Sequence, residues 1–150
     1  MEYDKPLIAG LLGALSTLIG EISTQLLIYL GVGKYSIYQL DSLLITFNRP
    51  SIIVGFIVNF IAGGFIGILF YYAISKLGQD YLVFKGAGVG LLSWGIFELI
   101  LTATIEGNFI DIRPMSDYYI HLVGTIVFGI TLGALFNKYL FNASIQLESK

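Results

Sequence analysis

Four long stretches of this chain contain almost no ionic side chain, and this feature restricts its fold more than any other. Each stretch has 20 residues or more and holds at most one acidic, basic or histidine residue. A helix needs roughly 20 apolar residues to cross a hydrocarbon core, where its backbone groups must bond within the helix. We therefore predict an all-α polytopic membrane protein with four transmembrane helices, spanning approximately residues 7–33, 51–75, 86–105 and 118–140.

The composition supports a single membrane domain covering residues 1–150. Only 12% of the residues are charged and 56% are apolar, whereas soluble domains carry roughly 25% charged residues. The first apolar stretch is longer than the roughly 7–15 residues of a signal peptide, and its flank carries Glu2 and Asp4 beside one lysine. We expect the lipid bilayer to be the main surroundings of the chain, and we expect no nucleic-acid partner.

Residues 34–49 are too short and too polar to cross a membrane. Apolar residues at helical spacing, with Asp41 on another face, predict a short helix at the outer interface. We expect Arg49 and Arg113 to pair with Asp41, with Asp111 or with lipid headgroups. The apolar stripe consists of Ile37, Leu40, Leu44 and Phe47.

Lysine and arginine residues between the predicted helices indicate the orientation. Basic residues favour the cytoplasmic side of a membrane, and five fall on the side of the chain termini while three fall on the other. The termini are therefore predicted to be cytoplasmic in a plasma-membrane protein. The five are Lys5, Lys76, Lys85, Lys138 and Lys150; the three are Lys34, Arg49 and Arg113.

The second and fourth predicted helices share a pattern of small and polar residues. A shift of 66 residues aligns Gly63 and Gly67 with Gly129 and Gly133, and an Arg-Pro pair precedes both helices. The first and third helices likewise have small residues early and one carboxylate later. The pattern predicts two tandem helical hairpins related as a parallel pseudo-repeat.

Glycines at this spacing have a simple structural interpretation. Small residues let helix backbones approach closely in lipid, where dispersion contacts hold helices together. We therefore predict helix-packing roles for Gly63, Gly67, Gly86, Gly90, Gly129 and Gly133.

Polar residues inside the predicted helices are costly to place against lipid. An acidic residue at the centre of a membrane costs roughly 2.5–3.5 kcal/mol. With a rise of about 1.5 Å per residue, Glu21, Asn59 and Glu98 reach a similar depth in the outer half of the membrane. We expect them to form a polar pocket in which the two carboxylates could share a proton.

Three neighbours extend this predicted pocket. Gln25 and Thr102 each lie one helical turn beyond one of the two carboxylates, within hydrogen-bonding reach. His121 enters near the outer boundary of the fourth helix, within reach of Glu98 or Glu106. Because protonated carboxyls can also join helices through hydrogen bonds, a purely structural clasp remains the alternative to a functional site.

The chain resembles small bacterial membrane proteins of the YqhR type and, more distantly, of the YagU type. The resemblance covers residues 68–133 and is carried by Ile68-Leu69-Phe70-Tyr71-Tyr72, Lys85-Gly86, Gly90, Trp94-Gly95 and Gly129 to Gly133, together with Ser116-Asp117 and His121-Leu122-Val123. It implies a bacterial cytoplasmic membrane and no particular activity.

Two functions follow from these observations. The first is a proton- or cation-linked transporter or channel component that uses Glu21 and Glu98 and has a water-accessible cleft. The second is a structural or accessory membrane protein that binds lipid or another membrane protein and has a sealed polar cluster. We expect no enzyme, cofactor or metal site, because the chain has one histidine, no cysteine and no recognisable catalytic motif. A homodimer would provide the interior that four short helices lack.

Overall fold

Residues 4–141 are described in a computed structural model and form five helices. Four of them are long and apolar enough to cross a membrane, with mean hydropathies of 1.5 to 2.5. The predicted all-α, multi-pass membrane protein is thereby confirmed; residues 1–3 and 142–150, including Lys150, lie outside the description. The helices are α1 (Lys5–Tyr29), α2 (Ile37–Thr46), α3 (Ile52–Leu77), α4 (Leu82–Thr104) and α5 (Met115–Leu135), and α5 continues as a π-helical segment, Phe136–Phe141.

Local sequence explains where these helices begin and end. The side chains of Asp4, Ser36 and Ser51 each accept a hydrogen bond from a backbone N–H of the helix that follows. The first helix stops at Tyr29 rather than at residue 33, because Gly31 has a φ of +82°, which lies outside helical geometry.

The four long helices lie in the spatial order α3, α1, α5, α4. Contacts join α3 to α1, α1 to α5, and α5 to α4, whereas α3 and α4 make few contacts with one another. The two central helices are therefore more enclosed: 56% of the most apolar window of α1 is buried, against 17% for α3. The bundle has a gap between its two outer helices.

In each hairpin, the two helices approach closely at glycine residues. In the first hairpin, a methyl group on Gly13 would overlap the backbone of Gly63 and Gly67. In the second, a methyl group on Gly86 would overlap the backbone of Gly129. Gly90 and Gly133 make equally close backbone contacts between α4 and α5. The pseudo-repeat of the hairpins stays a prediction.

Helix α2 lies across one end of the bundle. Its backbone at Tyr38 sits directly over Gly55 of α3, while Leu40 and Leu43 pack in one cluster with Leu101 and Ile105. A larger apolar cluster, which includes Phe70, Ile74, Phe128 and Phe136, fills the opposite end. The gap between α3 and α4 is thus covered by α2 at one end and filled at the other.

Candidate functional site

Glu21 holds α2 onto α1. Its carboxylate accepts hydrogen bonds from the backbone N–H of Tyr38 at 3.0 Å, from Gln25 Nε2 at 2.7 Å and from the Thr24 hydroxyl at 3.2 Å. Only 6% of Glu21 is exposed. All three partners are neutral donors, so they fit a carboxylate that anchors a helix.

Glu98 belongs to a separate cluster built around Arg113. Arg113 is buried and donates from Nη2 to Glu98 Oε2 at 2.8 Å and to Glu106 Oε2 at 3.2 Å. The same nitrogen lies 3.3 Å from the Thr102 hydroxyl. The expectation that Arg113 pairs with Asp41, Asp111 or lipid is wrong, because the loop after α4 folds back and places the guanidinium against two glutamates.

Tyr118 completes the outer edge of the cluster around Arg113. Its hydroxyl donates to Glu106 at 2.6 Å, and its ring lies 4.5 Å from the guanidinium carbon of Arg113. Burial opposes ionisation of Glu106, but hydrogen bonds from Tyr118 and Arg113 outweigh it and lower the pKa of Glu106. The site therefore keeps Glu106 ionised opposite the cation.

A proton is held between Glu98 and His121. Nε2 of His121 lies 2.8 Å from the carbonyl oxygen of Tyr35, which can only accept, so Nε2 carries a hydrogen. Nδ1 lies 2.6 Å from Glu98 Oε1. A neutral imidazole facing an ionised carboxylate would oppose two lone pairs at this distance, so one proton must reside on either Nδ1 or Oε1.

Asp41 is a second buried acid close to this cluster. One of its oxygens, Oδ2, accepts a hydrogen bond from Asn59 Nδ2, and only 2% of the residue is exposed. Burial raises the pKa of Asp41 to about 7, although the bond from Asn59 and the nearby His121 favour the ionised form. The sequence placed Asp41 on a different face of α2 from the apolar stripe, and the structure turns Asp41 toward the inside of the bundle.

A partly open cleft of about 50 Å³ adjoins these groups, in the gap between α3 and α4. Cavities need roughly 10–15 Å³ for each water molecule, so the cleft has room for a few. Its walls are mainly apolar or aromatic. The side chains with ionisable or amide groups that line it are Asp41, Asn59, Glu98 and His121.

The structure divides the predicted polar pocket into three groups. Glu98, Thr102 and His121 belong to the Arg113 cluster, and Asn59 donates a hydrogen bond to Asp41 at the cleft. Glu21 and Gln25 bond to each other and to α2, away from the lining of the cleft.

Sequence reasoning missed the parts that Arg113, Asp41, Tyr35 and Tyr38 play in the site. The signal that could have revealed Arg113 is its position after a short loop from Glu106, which returns the chain to α5. Asp41 had a signal as well, because its place on the polar face of α2 could have been matched to Asn59 at a similar depth.

Within residues 4–141, no group of three histidine, cysteine, aspartate or glutamate side chains is placed to hold a metal ion. Comparison with known proteins gives no match to any protein-family model, curated protein or solved structure. The function must therefore be argued from the site itself.

Proposed function

We propose that the chain is a small proton-linked membrane transporter or channel component in which Glu98 and His121 carry the proton. The observation that carries this proposal is the shared proton at the wall of an intramembrane cleft. Buried ionisable residues in a membrane are costly and often belong to proton or substrate pathways. The carbonyl of Tyr35 accepts from Nε2 of His121 and so fixes Nδ1 as the nitrogen that faces Glu98.

Protons are favoured over metal cations as the transported ion. Arg113 places a permanent positive charge 2.8 Å from Oε2 of Glu98, which repels a metal cation at the same carboxylate. A proton fits there because it replaces a repulsive contact between Nδ1 and Oε1 by a hydrogen bond. Loss of the proton weakens the link between α4 and α5 and supplies a local change in packing.

Glu21 has a structural role in this proposal. Its oxygens are occupied by Tyr38, Gln25 and Thr24, and it does not line the cleft. Glu21 therefore offers a matched control for Glu98, since both are buried glutamates in long helices.

A structural or accessory role is the second candidate. It is favoured by the dense pairing of Arg113 with Glu98 and Glu106, which ties α4 to the loop before α5. In that case the clasp would stabilise the fold, and the cleft would carry no ions.

The surroundings of the protein follow from the sequence. The excess of lysines on the side of the termini supports a plasma membrane with both termini in the cytoplasm. The resemblance to YqhR-type proteins supports a bacterial membrane. A homodimer would bring two clefts together, and neither chain would need a residue of the other to complete its site.

Proton flux into reconstituted liposomes separates the two candidates. An internal pH dye reports flux after an acid jump, with valinomycin and potassium to cancel the membrane potential. We expect flux above that of empty liposomes for the wild type and for Glu21→Gln, and loss of flux for Glu98→Gln and His121→Asn.

Thermal melting of each variant shows whether the variant is folded. If Glu98→Gln does not fold, His121→Asn carries the comparison, because it leaves the ion pair of Glu98 with Arg113 in place. Wild-type flux equal to that of empty liposomes, or full flux in a folded His121→Asn variant, would favour the clasp and reject proton transport.

A further inference from the structure

The polar groups that line the cleft have mostly committed their donor hydrogens to protein partners. Trp94 Nε1 donates to the carbonyl of Tyr118 at 3.1 Å, and the Ser93 hydroxyl donates to the carbonyl of Val89 at 2.8 Å. The Thr125 hydroxyl donates to carbonyl oxygens of its own helix. Both ring nitrogens of His121 are also engaged.

Acceptor oxygens, by contrast, remain free at the end of the cleft beneath α2. No residue among 4–141 donates a hydrogen bond to Oδ1 of Asp41 or to Oδ1 of Asn59. Only 2% of Asp41 is exposed, and the residue lines the cleft. A carboxylate oxygen that faces a mainly apolar cleft without a protein donor is poorly solvated, so a ligand that brings donor hydrogens and positive charge would be stabilised there.

The rest of the cleft is suited to an apolar chain. Ala62 and Ile66 line it from α3, and Trp94 and Phe97 line it from α4. These four residues are partly exposed, which indicates that the cleft opens sideways between the two helices. In a membrane this opening faces lipid, since α2 and the larger apolar cluster occupy the two ends of the gap.

The geometry points to a lipophilic primary amine as the substrate of the cleft, with its ammonium group against Asp41 and Asn59 and its apolar chain extending between α3 and α4 toward the lipid. This assignment rests on the proposed function and names its substrate class. An ammonium group brings three donor hydrogens and one positive charge, and the aromatic rings of Trp94 and Phe97 also favour a cation nearby.

The size and charge of the cleft exclude other ligands. A volume of about 50 Å³ admits an ammonium group with its first few carbons, so a longer chain must leave through the gap. An anion would meet the carboxylate of Asp41. A neutral alcohol would bring one donor hydrogen and no charge, and it would gain much less from Asp41.

Trp94 reports directly on occupancy, because it lines the cleft and is the one tryptophan of the chain. We would titrate the detergent-purified protein with n-octylamine at about pH 8, where an alkylamine is protonated, and follow tryptophan fluorescence. We expect a saturable change with the amine, and none with n-octanol or octanoate at the same concentrations.

Matched variants locate the binding site. Asp41→Asn keeps the bond from Asn59 but removes the charge, so it should weaken amine binding at least about tenfold, as expected for a charge-assisted hydrogen bond. Asp111→Asn removes an exposed carboxylate elsewhere and should leave binding unchanged. Ala62→Leu fills part of the cleft without touching the acids and should weaken binding. It carries the comparison if Asp41→Asn fails to fold.

The possible outcomes separate the amine assignment from the proposed function. Absence of saturable binding, or equal affinities for the wild type and folded Asp41→Asn, would overturn the assignment even if liposomes show proton flux. Binding without flux would retain the amine site and reject transport. Displacement of octylamine by phosphatidylethanolamine in mixed micelles would support the assignment and identify the amine as that of a phospholipid headgroup.

Discussion

At the scale of single residues, the site depends on how three acids are paired. Glu21 has neutral donors around it, Glu98 has Arg113 and His121, and Asp41 has Asn59 on one oxygen. These environments give three side chains of similar chemistry different roles. Glu21 anchors α2, Glu98 bonds to both Arg113 and His121, and Asp41 faces the cleft with an oxygen that a ligand can use.

Burial of Asp41 predicts a pH dependence of stability. Since its pKa is raised to about 7 in the folded protein and is about 4 in an unfolded chain, the folded state binds this proton more tightly. The contribution of Asp41 is therefore most favourable below about pH 4 and is lost as pH rises toward 7. We expect the melting temperature in detergent to fall by several degrees between about pH 5 and 8 for this reason.

Asp41→Asn provides the measurement for this prediction. Asparagine does not titrate and can still accept the bond from Asn59, so the variant should lose the fall and exceed the wild type above about pH 7. Glu21, Glu98 and His121 act on Asp41 from α1, α4 and α5, and all three stay in place. A parallel decline in Asp41→Asn and in the exposed-site control Asp111→Asn would assign the titration to another group.

The sequence predicted which polar residues share a depth but not how they pair. His121 was expected near the outer boundary of its helix, within reach of Glu98 or Glu106, and the structure places its Nδ1 2.6 Å from Glu98. The role of Arg113 could not be obtained in this way, because it depends on the path of the loop from residue 105 to residue 114. Only the folded chain shows that this loop turns the guanidinium inward.

At the scale of helices, the bundle is held by three sets of glycine contacts. Gly13 meets Gly63 and Gly67 between α1 and α3, and Gly20 meets Gly124 between α1 and α5. The third set joins α4 to α5. The spacing of glycines predicted that they pack helices, and the lengths of the apolar runs predicted the helices. The contact between α1 and α5 was not predicted. Every long helix carries small residues, so their presence does not show which helices meet.

Alanine substitutions should separate packing glycines from free ones. A methyl group at Gly129 would overlap the carbonyl of Gly86, whereas Gly88 and Gly95 have no atom within 4 Å of such a group. Gly129→Ala should therefore cost about 1–3 kcal/mol, as overpacking does. Gly88→Ala should be neutral or gain up to about 1 kcal/mol, because alanine favours helices more than glycine does.

Unfolding in mixed detergent micelles would measure both free energies. Gly95→Ala serves as a second control, since it lies on the same helix as Gly88 and is equally unobstructed. Equal stability of the Gly129→Ala and Gly88→Ala variants would contradict the close backbone contact between α4 and α5.

At the scale of the whole molecule, the asymmetry of the bundle defines its opening. Two tandem hairpins with a pseudo-twofold axis would pair α1 with α5 and α3 with α4 in equivalent ways. Only the first of these contacts is closed, and the cleft occupies the place of the second. The gap between α3 and α4 gives buried Asp41 and Glu98 a route to the surroundings of the bundle.

Closing this gap should block the entry of an amine. The chain has no cysteine, so Ala62→Cys on α3 and Phe97→Cys on α4 introduce a unique pair on opposite walls of the cleft. A short bismaleimide with a reducible disulfide would join them. We expect the Trp94 response to octylamine to disappear after linking and to return in part after reduction, because reduction separates α3 from α4 although half of the reagent stays on each cysteine.

Each single-cysteine variant, treated with the same reagent, controls for attachment of the reagent without linking. Single attachment should slow the octylamine response less than the link does, since α3 and α4 remain free to separate. If the linked protein binds octylamine as fast as the reduced protein, the ligand must enter under α2 instead. Because α2 is held by the bonds of Glu21, Glu21→Gln would then speed entry, whereas entry between α3 and α4 predicts no change in that variant.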